Sequence, residues 1–138
     1  MPAIQYQAFF QNEGGTGWRE GGHATDRSGS GKLLQAIQIR LTDLIPAFIV
    51  TYDVRFADAS WQGTVSGDTL RGDLGNPTRF IDGICIDLVN RPLVFLNGSV
   101  SYRVKWANEP GVWSDYKQDG ASLGRRGVGI VAFELKVN

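Results

Sequence analysis

Gly111-Val112-Trp113-Ser114-Asp115-Tyr116-Lys117-Gln118-Asp119-Gly120-Ala121-Ser122-Leu123-Gly124-Arg125-Arg126-Gly127 carries the pattern that decides the fold. A tryptophan is followed by an Asp-Gly turn and two further glycines, and the chain then enters the alternating strand Ala132-Phe133-Glu134-Leu135-Lys136-Val137. Degraded copies begin at Trp18, ending in Ala36-Ile37-Gln38-Ile39-Arg40-Leu41, and at Trp61, ending in Gly83-Ile84-Cys85-Ile86-Asp87-Leu88. A tyrosine strand precedes each tryptophan: Tyr6 to Phe10, Tyr52 to Phe56 and Tyr102 to Trp106. Recurrence at a period of roughly 50 residues makes a repeat architecture the first expectation. The whole chain, 1–138, reads as one domain of three repeats, about 1–46, 47–92 and 93–138.

Working outward, the alternating strands place Ile37, Ile39 and Leu41, then Ile84, Ile86 and Leu88, then Phe133, Leu135 and Val137, in matching phases. Burying nine such side chains at roughly 1.5–3 kcal/mol each supplies much of a core. Each copy holds about four short strands, so about twelve are expected, with no helix. Thr42-Asp43 turns the chain, Pro46 heads a β-rich run to Phe56, and Asn90-Arg91-Pro92 breaks the second copy's strand. Leu93 to Leu96, Asn97-Gly98 and Ser99 to Trp106 predict a hairpin with a type I′ turn. Two all-β architectures suit these copies, a three-repeat β-prism with pseudo-threefold symmetry or a β-trefoil. The one-sided alternating strand favours the prism, in which Ile37, Ile84 and Phe133 meet near one axis.

Eighteen glycines in 138 residues exceed the ordinary share of about 7 % and suit short strands and tight turns. Fourteen basic residues balance fourteen acidic ones, so no field draws in nucleic acid or an anionic membrane surface. No apolar run approaches the roughly 20 residues of a membrane span, so membrane insertion is not expected. The amino terminus lacks the basic and apolar regions of a signal peptide, which suggests a cytoplasmic protein or export by a non-classical route.

The copies resemble the clostridial hydrophobic repeat with a tryptophan, the ChW repeat. Gly17-Trp18 matches its Gly-Trp pair, and Asp119-Gly120, Gly124 and Gly127 match its glycine frame. Gly72 and Gly75 match the frame's second half, while Gln35 and Phe80-Ile81-Asp82 depart from the glutamate often found there. Gly124-Arg125-Arg126-Gly127 followed by Ala132 to Leu135 also resembles the closing segment of jacalin-type β-prism lectins. Their sugar-binding carboxylates are missing: Val128 and Val131 stand there in the third copy, Lys32 and Gln35 in the first. The ChW resemblance implies cell-surface binding and adhesion; the jacalin resemblance implies the fold without its sugar site.

His23 and Cys85 recur in no other copy, and neither has the neighbours that a metal site or a nucleophile needs. No triad, phosphate loop or metal-ligand spacing occurs, so no catalytic residue, metal or cofactor is expected. Trp18, Trp61 and Trp113 read either as core plugs or as platforms that stack on sugar rings. The candidate ligand-binding residues beside them are Asn12, Asp58 and Asn108, six residues after each tyrosine, and Asp26, Asp68 and Asp119 beyond each tryptophan. These residue types hydrogen-bond sugar hydroxyls and also form turns. The expected function is a non-enzymatic, multivalent carbohydrate-binding protein, a lectin with up to three related sites recognising glycans or a glycosylated cell surface. Trp113, Asp119 and Asn108 are expected to form the strongest site. The alternative is a protein-binding or cell-surface adhesion module, possibly the recognition part of a toxin. Either could act as a monomer or a homo-oligomer.

Overall fold

The computed structural model describes residues 4–42, 48–90 and 99–137. The hairpin expected around Asn97-Gly98, the strand Leu93 to Leu96, Arg91-Pro92, Asp43 and Pro46 lie outside the described residues. Within them the chain is all-β: thirteen strands, no helix, three antiparallel sheets. Six strands are long. β1 (Ile4–Phe10) pairs with β5 (Leu34–Leu41), β6 (Phe48–Phe56) with β9 (Ile81–Asn90), and β10 (Val100–Trp106) with β13 (Ile130–Val137). We refer to these pairs as the first, second and third sheets.

The three pairings share their register. Tyr6 faces Ile39, Tyr52 faces Ile86 and Tyr102 faces Leu135. Each ladder is interrupted at a corresponding place, between Phe9 and Phe10, Arg55 and Phe56, and Lys105 and Trp106. The extra residue there is Gln35, Asp82 or Val131, so each long pair ends in a bulge. Alternation buries one face, as the sequence pattern requires. Ile37, Ile39, Ile84, Ile86, Leu88, Phe133 and Leu135 are all in the core, with Leu41 and Val137 partly buried against it. Tyr6 meets Phe133 edge-on at 5.2 Å, joining the first sheet to the third.

Short strands finish the sheets, and they come from two sources. On one flank each long pair takes residues from its own third of the chain: β2 (Gly14–Gly15) and β3 (Arg19–Glu20) on β1, β7 (Val65–Ser66) on β6, and β11 (Lys117–Gln118) on β10. On the other flank the strand is exchanged. β4 (Thr25–Asp26) pairs with β13, β8 (Arg71–Gly72) with β5, and β12 (Leu123–Gly124) with β9. Each third of the chain thus closes the sheet of another third, and the exchange is cyclic.

A buried tyrosine hydroxyl fastens each exchanged segment. Tyr6 donates to the carbonyl of His23, Tyr52 to that of Thr69 and Tyr102 to that of Ala121. Beside them, the Gly22, Asp68 and Gly120 amides donate to Leu135, Ile39 and Ile86 in the neighbouring sheet. Bulge side chains add a second clasp. Gln35 Nε2 donates to the carbonyls of Asn76 and Arg79, at 2.8 and 2.9 Å. Asp82, fully buried, accepts from Gly127 N at 2.8 Å and Arg55 Nε at 2.6 Å. Paired and hydrogen-bonded in this way, a buried carboxylate is tolerated; unpaired it costs several kcal/mol.

Burial pushes the Tyr6 and Tyr102 hydroxyls up to about 12 and raises Tyr52 as well. In the unfolded chain a tyrosine ionises near 10, so between about pH 10 and 12 the unfolded state gives up its protons first. The contribution of Tyr6 and Tyr102 is therefore intact below about pH 10 and is lost as pH rises through about 12, and Tyr52 acts in the same direction. Urea midpoints measured across this range should drop, and Tyr102→Phe should flatten the drop while losing about 1 kcal/mol at neutral pH. A midpoint that stays level from pH 10 to 12 contradicts this assignment.

Candidate functional site

Two regions gather polar and aromatic side chains: the loops at the bulge end of the sheets, and their outer faces. The bulge ends of all three sheets lie at one end of the molecule. Arg27, which follows β4 on the third sheet, reaches over the Phe10 ring of the first, and Arg125, which follows β12 on the second, reaches over Trp106 of the third. Gln35 in turn holds the 76–79 loop of the middle copy.

Asn12, Asp58 and Asn108 occupy corresponding places at this end. Each lies in a tight turn just beyond the bulge, closed by Glu13 N to Phe10 O, Ala59 N to Phe56 O and Glu109 N to Trp106 O. An arginine stands beside each turn over the terminal aromatic ring. Arg27 pairs with Glu13 at 3.2 Å, and Arg125 Nη1 bonds Asn108 at 3.0 Å and Glu109 at 2.9 Å. In the middle copy Asp73 takes the place of Arg27 and Arg125, since its amide bonds Gln35 O as theirs bond Val131 O and Asp82 O. Arg79, from the longer loop of that copy, fills the role instead. It lies 4.0 Å from the Phe56 ring centroid and pairs with Asp58 at 3.0 Å and Asp73 at 3.3 Å. Hydrogen bonds from Gly75 N and then Arg79 hold the Asp73 carboxyl below its usual range. A cleft of about 240 Å³ opens here, lined by Ala57, Asp58, Asn76, Thr78, Arg79 and Phe80.

The three tryptophans are half-buried on the outer faces, so none is a core plug. They are not equivalent to one another. Trp61 and Trp113 bridge Arg55 and Lys105, whereas the corresponding partner of Phe9 is Gly15. Trp18 precedes β3 as Tyr116 precedes β11 and Thr64 precedes β7. The first face thus has one aromatic position filled by Trp18, the second has the other filled by Trp61, and the third has both, Trp113 and Tyr116. A cation covers every one of these rings: Arg40 over Trp18 at 3.8 Å, Arg55 over Trp61 at 5.7 Å, Lys105 and Arg103 over Trp113 at 5.0 and 4.6 Å, and Lys136 over Tyr116 at 4.4 Å.

Asp26, Asp68 and Asp119 also stand in unlike places. Asp26 lies in β4, where Gly72 and Gly124 are its counterparts in β8 and β12. Burial opposes its ionisation, but bonds from Lys105 and Ser28 outweigh this and hold its carboxyl low. Asp68 and Asp119, like Asn12, adopt left-handed backbone, at φ 68°, 45° and 59°, which Asn and Asp tolerate best among residues with a side chain. Asp119 Oδ1 accepts from Val100 N at 3.0 Å. Val100 opens β10 and Asn108 follows its far end, so the expected set of Trp113, Asp119 and Asn108 is not brought together. At about 3.3 Å per residue, the strand from Val100 to Trp106 alone puts about 20 Å between the two ends.

The remaining reactive groups have structural surroundings. His23 is used through its carbonyl. Cys85 Sγ donates to Gly120 O at 3.1 Å, and burial, then Asp53 and Asp87, raise its pKa and keep it a thiol at neutral pH. Among the described residues no group of three His, Cys, Asp or Glu side chains is placed to hold a metal ion. The sequence reading missed Arg79, Arg125, Arg103, Lys136 and Tyr116. The one available signal was the recurrence of an arginine in each glycine-rich loop. No family model matches the chain, and neither a curated protein nor a solved structure matches it.

The turn role of Asp119 is testable by stability. Asp119→Ala should lose the bond to Val100 and strain the left-handed turn, costing about 1–3 kcal/mol in chemical denaturation. Asp119→Asn, which keeps an acceptor and tolerates this φ, should stay within about 0.5 kcal/mol of the parent. Equal stability of the alanine variant and the parent contradicts the role.

Proposed function

We propose that this chain is a non-enzymatic carbohydrate-binding protein, a three-repeat β-prism whose sugar sites are the loops at the bulge end. The cleft of the middle copy carries the reading. Its size suits a sugar residue, and its lining offers the groups that sugar hydroxyls pair with: the exposed Asp58 carboxylate as acceptor, the Arg79 guanidinium as donor, and the Asn76 and Thr78 side chains for either role. Stacking on Phe56 and two carboxylate partners fix Arg79 in advance, which lowers the ordering cost of binding.

The corresponding loops, with Asn12, Glu13 and Arg27 and with Asn108, Glu109 and Arg125, carry related sets. Three weak sites at one end of a small molecule suit multivalent contact with a glycosylated surface, where effective concentration supplies the avidity. Matching registers, bulges and exchanged strands support the threefold prism over a trefoil, because the six long strands are hydrogen-bonded two by two. The glycine frame likened to the ChW repeat belongs to the same proposal. A protein-binding adhesion surface is the second reading, favoured by the exposed Val112 and Tyr116 beside the third sheet.

A glycan array followed by calorimetry with a monovalent hit tests the choice. The proposal expects a defined sugar family to bind and no reducing sugar to be released. Asp58→Asn and Arg79→Ala should each weaken monovalent binding about tenfold or more, since each removes a charged hydrogen-bond partner worth roughly 1.5–3 kcal/mol. Asp58 is exposed, so its variant isolates binding from folding. An array without signal, or unchanged affinity in Asp58→Asn, overturns the proposal.

A further inference from the structure

The third sheet is unlike the other two on its outer face. Both aromatic positions are occupied only there, and the side chains around them are locked. Arg103 lies between the rings, 4.6 Å from the Trp113 centroid and 4.7 Å from that of Tyr116. The nearly buried Glu134 carboxylate accepts from Arg103 at 3.0 and 3.2 Å and from the Tyr116 hydroxyl at 3.2 Å. Gln38 and Cys85 stand at the place of Glu134 in the other sheets, and Gln7 and Asp53 at the place of Arg103, so neither can build this brace. Lys105 closes one end of the row, held by Asp26 at 2.8 Å. Lys136 closes the other, over Tyr116, and has no carboxylate partner among the described residues.

The row therefore reads Lys105, Trp113, Arg103, Tyr116, Lys136. Asp26 answers Lys105 and Glu134 answers Arg103, so among the described residues one positive charge of the row, at Lys136, has no carboxylate beside it, next to a braced, partly exposed tyrosine. At the place of Lys136 the first sheet has Arg40, bonded to Gln5, and the second has Asp87. We propose that this face is a second ligand site, separate from the bulge-end loops, for an acidic sugar residue, a uronate or a sulfated pyranose. The apolar C–H face of the pyranose lies on Tyr116 and the accessible edge of Trp113, and its carboxylate or sulfate pairs with the Lys136 ammonium. Both requirements fall on one residue of ligand, which a neutral sugar meets only in part. The site does not depend on the loop-end reading, because it shares no residue with it.

Calorimetry of the full chain with a uronate-containing oligosaccharide, and with the same oligosaccharide after reduction of its carboxylates to hydroxymethyl groups, tests the proposal. The charged form should bind at least tenfold more tightly, weaken as salt is raised, and shift the Trp113 indole N–H resonance. Lys136→Gln should lose about tenfold for the charged form alone, and Lys136→Arg should restore it. Gln and Arg both keep an extended polar side chain at position 136, and matching denaturation midpoints confirm that both variants fold. Equal binding of both oligosaccharides, absence of binding, or Lys136→Gln without effect overturns the proposal. So does tighter capture of a poly-glutamate peptide, which makes the face a protein-binding one. Loss of charged-sugar binding in Asp58→Asn with Lys136→Gln unaffected moves the ligand to the loop end and also overturns it.

Discussion

Two residues from a different third of the chain close the far edge of every sheet: Thr25-Asp26 on β13, Arg71-Gly72 on β5 and Leu123-Gly124 on β9. A two-residue strand brings little pairing energy of its own, and its place is set by what surrounds it. The tyrosine hydroxyl bonds to the carbonyl just before it, and the bulge side chain of the receiving sheet, Gln35 or Asp82, grips the loop just after it. Where β8 joins the first sheet, the approach is so close that a Cβ on Gly72 would sit 2.2 Å from the Gln35 carbonyl oxygen, at a φ of 150° that also favours glycine. No third of the chain finishes a sheet alone, so the three depend on one another for their edges as well as for the shared core.

That dependence positions both candidate regions. Because the exchanged strand of one copy ends beside the bulge of another sheet, the arginine that follows it, Arg27 or Arg125, reaches its own copy's terminal aromatic across the join between sheets. The loop-end clusters therefore sit over the seams between sheets, although each is built from a single third of the chain. The outer faces, in contrast, are made by the long pairs themselves. Their chemistry varies freely, from Gln7 facing Gln38 to Asp53 facing Cys85 to Arg103 facing Glu134, because the inward residues alone maintain the fold.

Much of this was legible in the residues. Alternation in Leu34–Leu41 and Ile130–Val137 marked the core side chains, and the spacing of Tyr6, Tyr52 and Tyr102 marked three strands with matching pairing registers. Asn12, Asp58 and Asn108 were legible as a set because the stretch from the tyrosine to the end of its strand is the same in all three, Tyr6 to Phe10, Tyr52 to Phe56 and Tyr102 to Trp106. Beyond the tryptophans, that reading failed for identifiable reasons. Gly17-Trp18 looks like the start of a copy, yet Trp18 fills the place of Tyr116, and Gly15 has taken the tryptophan's place. Strand exchange left no trace, since pairs such as Arg71-Gly72 have no periodicity to read. Asp26, Asp68 and Asp119 looked alike as residue types while backbone conformation separates them: two are left-handed turn residues and one lies in a strand. Arg79 replaced an arginine six positions earlier in the loop frame, a substitution visible only once Asp73 is seen bonded to Gln35.

The proposed sugar chemistry is concentrated where the seams meet, at the bulge end, with the cleft beside Asp58 and Arg79 at its centre. An amide spectrum recorded while a neutral sugar from the array is titrated tests this most directly. The account predicts shifts concentrated in Ala57-Asp58 and the 76–80 loop, with smaller ones near Asn12 and Asn108. Shifts confined to the outer faces, around Trp18, Trp61 and Trp113, with the bulge-end loops unmoved, would contradict it.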